Sequence, residues 1–391
     1  MRASRTASGN NDLPNKIGHP YTAHVVSSPA EIQQLTESVH RLMPEPDTTV
    51  EPRFFLASLG GDWTPRVVVV RRSEAIVGVV YGKERRIGGF STGIVYGDGR
   101  FGNLVVAQPA DREDVIVVAI TTLFALPSVR AVRLSIPPGD VEARAVARAQ
   151  RLVPFDLGYS AATAFETHAR LPLPGDYQEF LGLLGSKTRR NFRYYRRKHE
   201  AAGHTYVDDL SPQDLRRAAT DLREKCRFPS RRGAVERALN LLMATDRPWV
   251  VGLKHRDGGW LSVAAGWFSR AGAIMFLQLN NDRDHDGASL SLVLRAYLIE
   301  TLIRRRIPEL VFWSGSAPPL SRYAPSIPTM AVYLDTPALG WRLIRSMVGK
   351  TQPWMPRSIA SDVRWMTGAE LSPEPPQTLS LGDVSQDFLP E

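Results

Sequence analysis

The segment Asn281 to Ser289 concentrates groups that could do chemistry: Asp282, Arg283, Asp284, His285, Asp286, Gly287, Ala288 and Ser289. A glycine that closes a polar loop and is followed at once by apolar residues at three- and four-residue steps marks a helix start. The first backbone N–H groups of a helix have no intrahelical acceptor, so Gly287, Ala288 and Ser289 are candidates for holding an anion. The plainer alternative is a well-capped helix. Three aspartates in the same loop suit the positive end of the helix dipole but would oppose a phosphate. Asp282-x-Asp284-x-Asp286-Gly287 also copies the opening of an EF-hand loop. Its twelfth position is Val293, where that loop needs a bidentate glutamate, so no metal is expected. His285 has the intrinsic pKa of a general base, against the alternative of a solvated loop histidine.

A second cluster, Lys187, Arg189, Arg190, Arg193, Arg196, Arg197 and Lys198, falls on one helical stretch. Arg189, Arg190 and Arg193 could clamp a polyanion such as an RNA backbone, an acidic glycan or the phosphates of a cofactor. A solvated basic face is the competing reading. Phe192, Tyr195 and His199 recur at helical spacing and are expected to dock this helix on the protein, which argues against base stacking by outward aromatics. No Ser-His-Asp set, metal-ligand spacing or Walker-type glycine loop is present.

These groups need elements to position them. Ala273 to Asn280 reads as a buried strand, Ala288 to Arg306 as one helix that Pro308 ends, and Leu310 to Trp313 as a returning strand. Together they make a β-loop-α-β unit. Earlier, Asp176 caps a short helix, Ser186 a second running to Ala202, and Ser211 a third; Gly233 to Ala244 is a fourth. Strands at Trp249–Leu253 and Leu261–Phe268 flank the turn Arg256-Asp257-Gly258-Gly259. In the first half, Ser28 and Glu31 form a capping box for a helix towards Leu42. Val67–Val70 and Ile76–Tyr81 form a hairpin, Gly88–Gly102 is a glycine-rich segment, and Asn103–Ala107 is a strand. A helix from Pro109 to Leu126 and a strand to Ile136 complete that half. Both halves thus run hairpin, third strand, helix, strand.

At 391 residues two domains are the default, and 43% hydrophobic with 23% charged residues is the composition of a globular protein. A formal net charge of +9 implies affinity for polyanions. No apolar run is long enough to span a bilayer. The single Cys226 excludes an intrachain disulfide and fits a reducing cytoplasm, the expected location. The expected division is a disordered leader 1–20, lobes 21–164 and 165–366, and a disordered tail 367–391.

Three places carry a family resemblance: Leu171–Leu181, the run Ser186-Lys187-Thr188-Arg189-Arg190-Asn191-Phe192-Arg193 on to Gly203, and Gly287-Ala288-Ser289-Leu290 with the strand at Val311-Phe312. The second half here resembles the CelD-like, or BioF2-like, branch of the GNAT acyltransferase superfamily, over about Phe165 to Tyr323. The first half resembles a second GNAT-type lobe, as in the related Fem aminoacyltransferases. The resemblance implies an α/β (α+β) fold of tandem lobes, each a mixed, mostly antiparallel sheet flanked by helices. It implies transfer of an acyl group other than an aminoacyl group, from acetyl-CoA or another acyl-CoA, to an amine or hydroxyl. The acceptor would be a sugar, amine or glycan precursor for cell-surface or extracellular polysaccharide. By the same resemblance the backbone of Gln278 and Leu279 would polarise the thioester, Arg283, Gly287, Ala288 and Ser289 would hold the diphosphate, and Tyr323 would protonate the leaving thiolate. The loop differs from the superfamily's usual pattern by one extra residue before Gly287. Fem-like transfer from aminoacyl-tRNA and a non-catalytic binding module are the alternatives.

Overall fold

The computed structural model describes residues 20–44, 47–87, 89–98, 105–136, 140–161, 168–226, 232–313, 319–327 and 330–351. The expected leader, except Pro20, and the tail 367–391 lie outside these residues. The chain divides into two units, residues 1–162 with 329–391, and residues 163–328.

In the first unit the order is β1 (Tyr21–Val26), α1 (Pro29–Gln33), α2 (Thr36–Leu42), α3 (Pro52–Ser58), β2 (Trp63–Pro65), β3 (Val67–Arg72) and β4 (Ala75–Val80). It continues β5 (Lys83–Ile87), β6 (Phe90–Asp98), β7 (Val105–Ala107), α4 (Arg112–Ala125), β8 (Ala131–Ile136), α5 (Asp140–Leu152) and β9 (Asp156–Ala161). The second unit holds β10 (His168–Pro172), α6 (Tyr177–Leu183), α7 (Ser186–Ala201), β11 (Thr205–Val207), α8 (Pro212–Leu222) and α9 (Arg232–Met243). It ends with β12 (Pro248–Lys254), β13 (Trp260–Phe268), β14 (Ala273–Asn280), α10 (Leu290–Arg304), β15 (Glu309–Phe312) and β16 (Ser326–Ile327). The chain then returns to the first unit with β17 (Met330–Asp335) and α11 (Leu339–Thr351).

The first unit carries a four-stranded sheet, β1-β3-β4-β7, and a six-stranded one, β2-β5-β6-β8-β17-β9. The second carries one seven-stranded sheet, β11-β12-β13-β14-β15-β10-β16. The fold class is the expected one: mixed and antiparallel sheets flanked by helices. The expected lobe boundary at 366 is corrected. β17 pairs antiparallel with β8 on one side and β9 on the other, and Val332 and Leu334 join Val132 and Leu134 in the first unit's core. The apolar alternation of β17 completes that sheet, so the chain from Met330 through α11 belongs there.

Two local expectations also change. The helix from Ser28 to Leu42 is broken in two, because the Thr36 hydroxyl donates to the Gln33 carbonyl (2.8 Å) and Leu35 N–H bonds back to Ile32 O in a tight turn. Ser28 makes no side-chain cap. The glycine-rich segment contains a strand, β6, since Ile94, Val95 and Tyr96 find a parallel partner in β8. Asp176 and Ser211 do cap α6 and α8, the latter in a full capping box. On α7 the cap position is Gly185, with Ser186 the first helical residue.

The second unit's core lies between its sheet and helices α6, α7 and α10. α10 is buried on nearly every face, with Leu290, Leu292, Val293, Leu294, Leu298, Ile299, Leu302 and Ile303 all inside. Tyr297, on the same helix, is half-buried: its hydroxyl donates to Glu200 (2.8 Å) and its ring stacks on Tyr206.

Candidate active site

Two strands part at the heart of the second unit. β14 runs parallel to β15 through Ala273, Ile274 and Met275, and Trp313 N–H donates to Met275 O (3.0 Å). Beyond Met275 the described residues contain no further pairing between the two. The cause is on the other edge of β14. Ala265 of β13 pairs with Leu277 and Gly266 with Met275, so Phe276 is an extra residue without a partner. Such a bulge bends its strand and increases its twist. It also reassigns the faces, because Met275 and Gln278 now oppose Gly266 and Ala264, which share one side of β13.

The bulge thereby sets a polar row against α10. Ser262 Oγ donates to Asn280 Oδ1 (2.6 Å), and Gln278 Nε2 donates to the same oxygen (3.3 Å). Gln278 Oε1 accepts from Ser291 Oγ (3.4 Å) and from Arg295 Nε (3.1 Å). The Arg295 guanidinium lies 5.2 Å from the ring centroid of Phe312, the last paired residue of β15. Arg295 therefore touches both parted strands. Burial pushes its pKa down to about 10, which leaves it cationic at neutral pH. Sequence reading named Gln278 for its backbone and passed over Arg295. The available signal was a lone arginine inside Leu292-Val293-Leu294-Arg295-Ala296, where flanking apolar residues on every helix face leave no route to water.

Two carboxylates of the loop before α10 have partners close by in the chain or fold. Asp284 accepts from Asn281 Nδ2 (3.1 Å) and sits 3.5 Å from Lys225 Nζ, and Asn281, foremost, with Lys225 holds its carboxyl below the usual range. Asp286 accepts the N–H of its own neighbour Gly287 (3.0 Å). Gly287 (φ +73°) and Ser289 (φ +51°) are both left-handed, which turns the chain sharply into α10. The N–H groups of Ser289, Leu290 and Ser291 have no acceptor among the described residues, and a side chain at Gly287 would meet open space. Leu279 is buried and its carbonyl accepts from Ser262 Oγ (3.1 Å). Arg283 is tied through its backbone N–H to Lys225 O (2.9 Å), with its side chain exposed. Ala288 N–H closes a turn onto His285 O (3.1 Å).

His285 belongs to a row of four histidines. Ring centroids are 5.8 Å apart for His285 and His255, 4.6 Å for His255 and His204, and 5.1 Å for His204 and His199. At the inner end His199 is buried with neither ring nitrogen hydrogen-bonded among the described residues. Its pKa falls to about 4, first through burial and then through His204, while Glu200 pulls the other way. The unfolded chain takes up this proton near pH 6.5 and the folded chain only near pH 4. In that window the unfolded state binds more protons, so stability is full above pH 6.5 and is lost as pH falls, by about 3 kcal/mol in all. His199→Phe is expected to flatten this part of the curve. Urea midpoints for both proteins from pH 7 to pH 4 check it, and parallel curves would refute it.

Tyr323 Oη accepts from Gly185 N–H (2.7 Å), so its phenol covers the start of α7 and keeps its own proton to donate. On α7, Phe192 and His199 are buried and Tyr195 packs on the core, as expected for the docking face. Arg193 reaches Gln178 (3.2 Å) and Arg196 pairs with Glu300 (2.7 Å) and Glu200 (3.0 Å). Arg189 and Arg190 have no ion-pair partner among the described residues. Tyr194 is 52% exposed among Arg190, Arg197 and Lys198 on the outer face, an outward aromatic on this helix. Among the described residues no His, Cys, Asp and Glu group is arranged to hold a metal ion, and no helix is long and apolar enough to cross a membrane.

No family model and no curated protein matches the chain. Solved structures do. A conserved protein of unknown function from Bacteroides thetaiotaomicron VPI-5482 is similar at a TM-score of 0.51 and 11% identity, over 80% of this chain and 99% of that one. FemX is similar at 0.49 and 10%, over 74% and 88%, and a tandem GNAT protein from the clavulanic acid biosynthesis pathway at 0.45 and 10%, over 81% and 99%. The likeness is one of fold.

Proposed function

We propose that the second unit is an acyltransferase that moves an acyl group from an acyl thioester, acyl-CoA by resemblance, to an amine or hydroxyl. The observation that carries this reading is the parting of β14 from β15 beside a helix start whose N–H groups are uncommitted. Free strand amides can polarise a thioester carbonyl, and the N-terminus of α10 suits a diphosphate. The residues fit such a group: Ser289, Leu290 and Ser291 present donors, Gly287 leaves space, and Asp284 is turned to Lys225. In the proposed reaction the acceptor's nitrogen or oxygen bonds to the carbonyl carbon and the carbon–sulfur bond breaks. The acceptor's proton passes to water, and Tyr323, reprotonated from that water, is assigned to protonate the thiolate. His285, whose ring lies 5.8 Å from that of His255, is proposed as the general base that passes the acceptor's proton on.

Thermal unfolding with acetyl-CoA, longer acyl-CoAs and free CoA tests this. A ligand at 100 times its Kd adds about 2.7 kcal/mol of stability, and Gly287→Val should abolish the shift by filling the space before the helix start. No shift with any of the three would refute the reading.

A second reading keeps the chemistry and changes the group. An aminoacyl donor on RNA is favoured by Tyr194, exposed between Arg190 and Arg197 as a stacking platform on a basic face. The acyl group is therefore not restricted here to non-aminoacyl ones. Steeply salt-dependent tRNA binding that is lost on neutralising Arg189, Arg190 and Arg193 would favour it.

A further inference from the structure

Arg295 is only 9% exposed, and no carboxylate faces it among the described residues. Its Nε is held by the neutral Gln278, and its other guanidinium nitrogens have no hydrogen-bond partner among the described residues. Other inward arginines of the chain are neutralised: Arg133 by Asp335 at 2.7 Å, Arg196 by Glu300 at 2.7 Å. A buried guanidinium left without an anion is costly, and a fold that keeps one at the parting of two strands holds a place for a negative charge.

We propose that Arg295, oriented by Gln278, receives a carboxylate of the substrate. A planar carboxylate matches the fork of a guanidinium with two parallel hydrogen bonds. One negative charge also balances one positive charge. A phosphate dianion would leave its second charge facing the ring of Phe312. Only the question of which substrate brings the carboxylate rests on the acyl-transfer reading. It is either the far carboxylate of a dicarboxylic acyl group on the donor or the carboxylate of an amino-acid acceptor.

The test uses the full chain, Arg295→Met and Arg295→Lys, and follows thermal unfolding with defined probes: free CoA, acetyl-CoA, succinyl-CoA, sodium succinate, glycine and glycinamide at matched ionic strength. Without ligand, Arg295→Met should unfold at or above the wild-type temperature, because a buried charge has gone. Its affinity for the carboxylate probes should drop roughly 30- to 100-fold, with free CoA unaffected. Arg295→Lys keeps the charge but not the fork, and should bind the same probes at least about tenfold more weakly while folding normally. A preference for succinyl-CoA over acetyl-CoA that only the wild type shows places the carboxylate on the donor. Stabilisation by glycine but not glycinamide places it on the acceptor. If no carboxylate probe distinguishes the three proteins, or Arg295→Lys binds like wild type, the proposal is overturned. Should CoA compounds fail to bind while succinate or glycine still separates wild type from Arg295→Met, acyl transfer from CoA falls and the carboxylate seat stands. If CoA binds all three alike and no carboxylate arm separates them, the seat alone falls.

Discussion

Gly266→Ala is expected to destabilise the second unit by more than about 4 kcal/mol, enough to leave it unfolded or insoluble at 37 °C. A Cβ at this position would lie 1.7 Å from the backbone oxygen of Ile274 and 2.7 Å from the ring of Trp249. The oxygen belongs to β14 and cannot rotate aside as a side-chain tip would. Gly266 pairs with Met275, next to the extra residue Phe276, so the bulge that separates β14 from β15 depends on this close approach. Relief by moving β14 outward would undo the bulge and return Gln278 to the other face, away from Ser291 and Arg295. Soluble yield, circular dichroism and a urea titration of the variant check the expectation. A two-state transition within about 1 kcal/mol of wild type would show that the strand can yield, and with it the account of why the strands part.

Much of the second unit was legible before its structure was known, and the reasons are local. The periodicity of Leu290, Val293, Leu294, Leu298 and Leu302, the loop rich in turn residues and Pro308 each act within one or two turns of chain. Strand β14, helix α10 and strand β15 accordingly fall where those signals put them. The site within them was less legible, because it depends on a register. Nothing in Ala273–Asn280 says that Phe276 is unpaired; that follows from β13, where Gly266 admits a close strand. Once the register shifts, Gln278 changes from a residue expected to offer its backbone into a side-chain hub. Arg295 becomes its partner although the helical pattern assigns it only to a buried position. His285 was read alone, while the structure sets it in a row with His255, His204 and His199, drawn from three other segments. The first unit shows the same limit over a longer range. Met330–Asp335 drew no strand assignment from its sequence, and only pairing with residues almost two hundred positions earlier decides which sheet it completes.

That return of the chain supplies the other large effect. Asp335 ends β17 with a side chain 2% exposed, and it accepts from Arg133 Nη2 (2.7 Å), Trp341 Nε1 (2.7 Å) and Arg345 Nη1 (2.8 Å). Arg133, on the neighbouring β8, is fully buried; it also donates to the carbonyls of Val132 and Leu334 and lies 4.9 Å from the ring centroid of Tyr333. Removing the carboxylate takes the Asp335 counter-charge from the buried guanidinium and frees two donors on α11, so Asp335→Ala should cost about 3–5 kcal/mol. The pair itself is worth less than that, since most of the loss is the stranded charge. Arg133→Met combined with Asp335→Ala should therefore recover a large part of the loss, whereas two independent contributions would add. The double-mutant cycle in urea, read at one pH, separates these outcomes. Additive losses would mean that β17 is held in the first unit by its apolar face alone, through Val332 and Leu334, and that the buried ion pair contributes nothing specific to bringing the chain back.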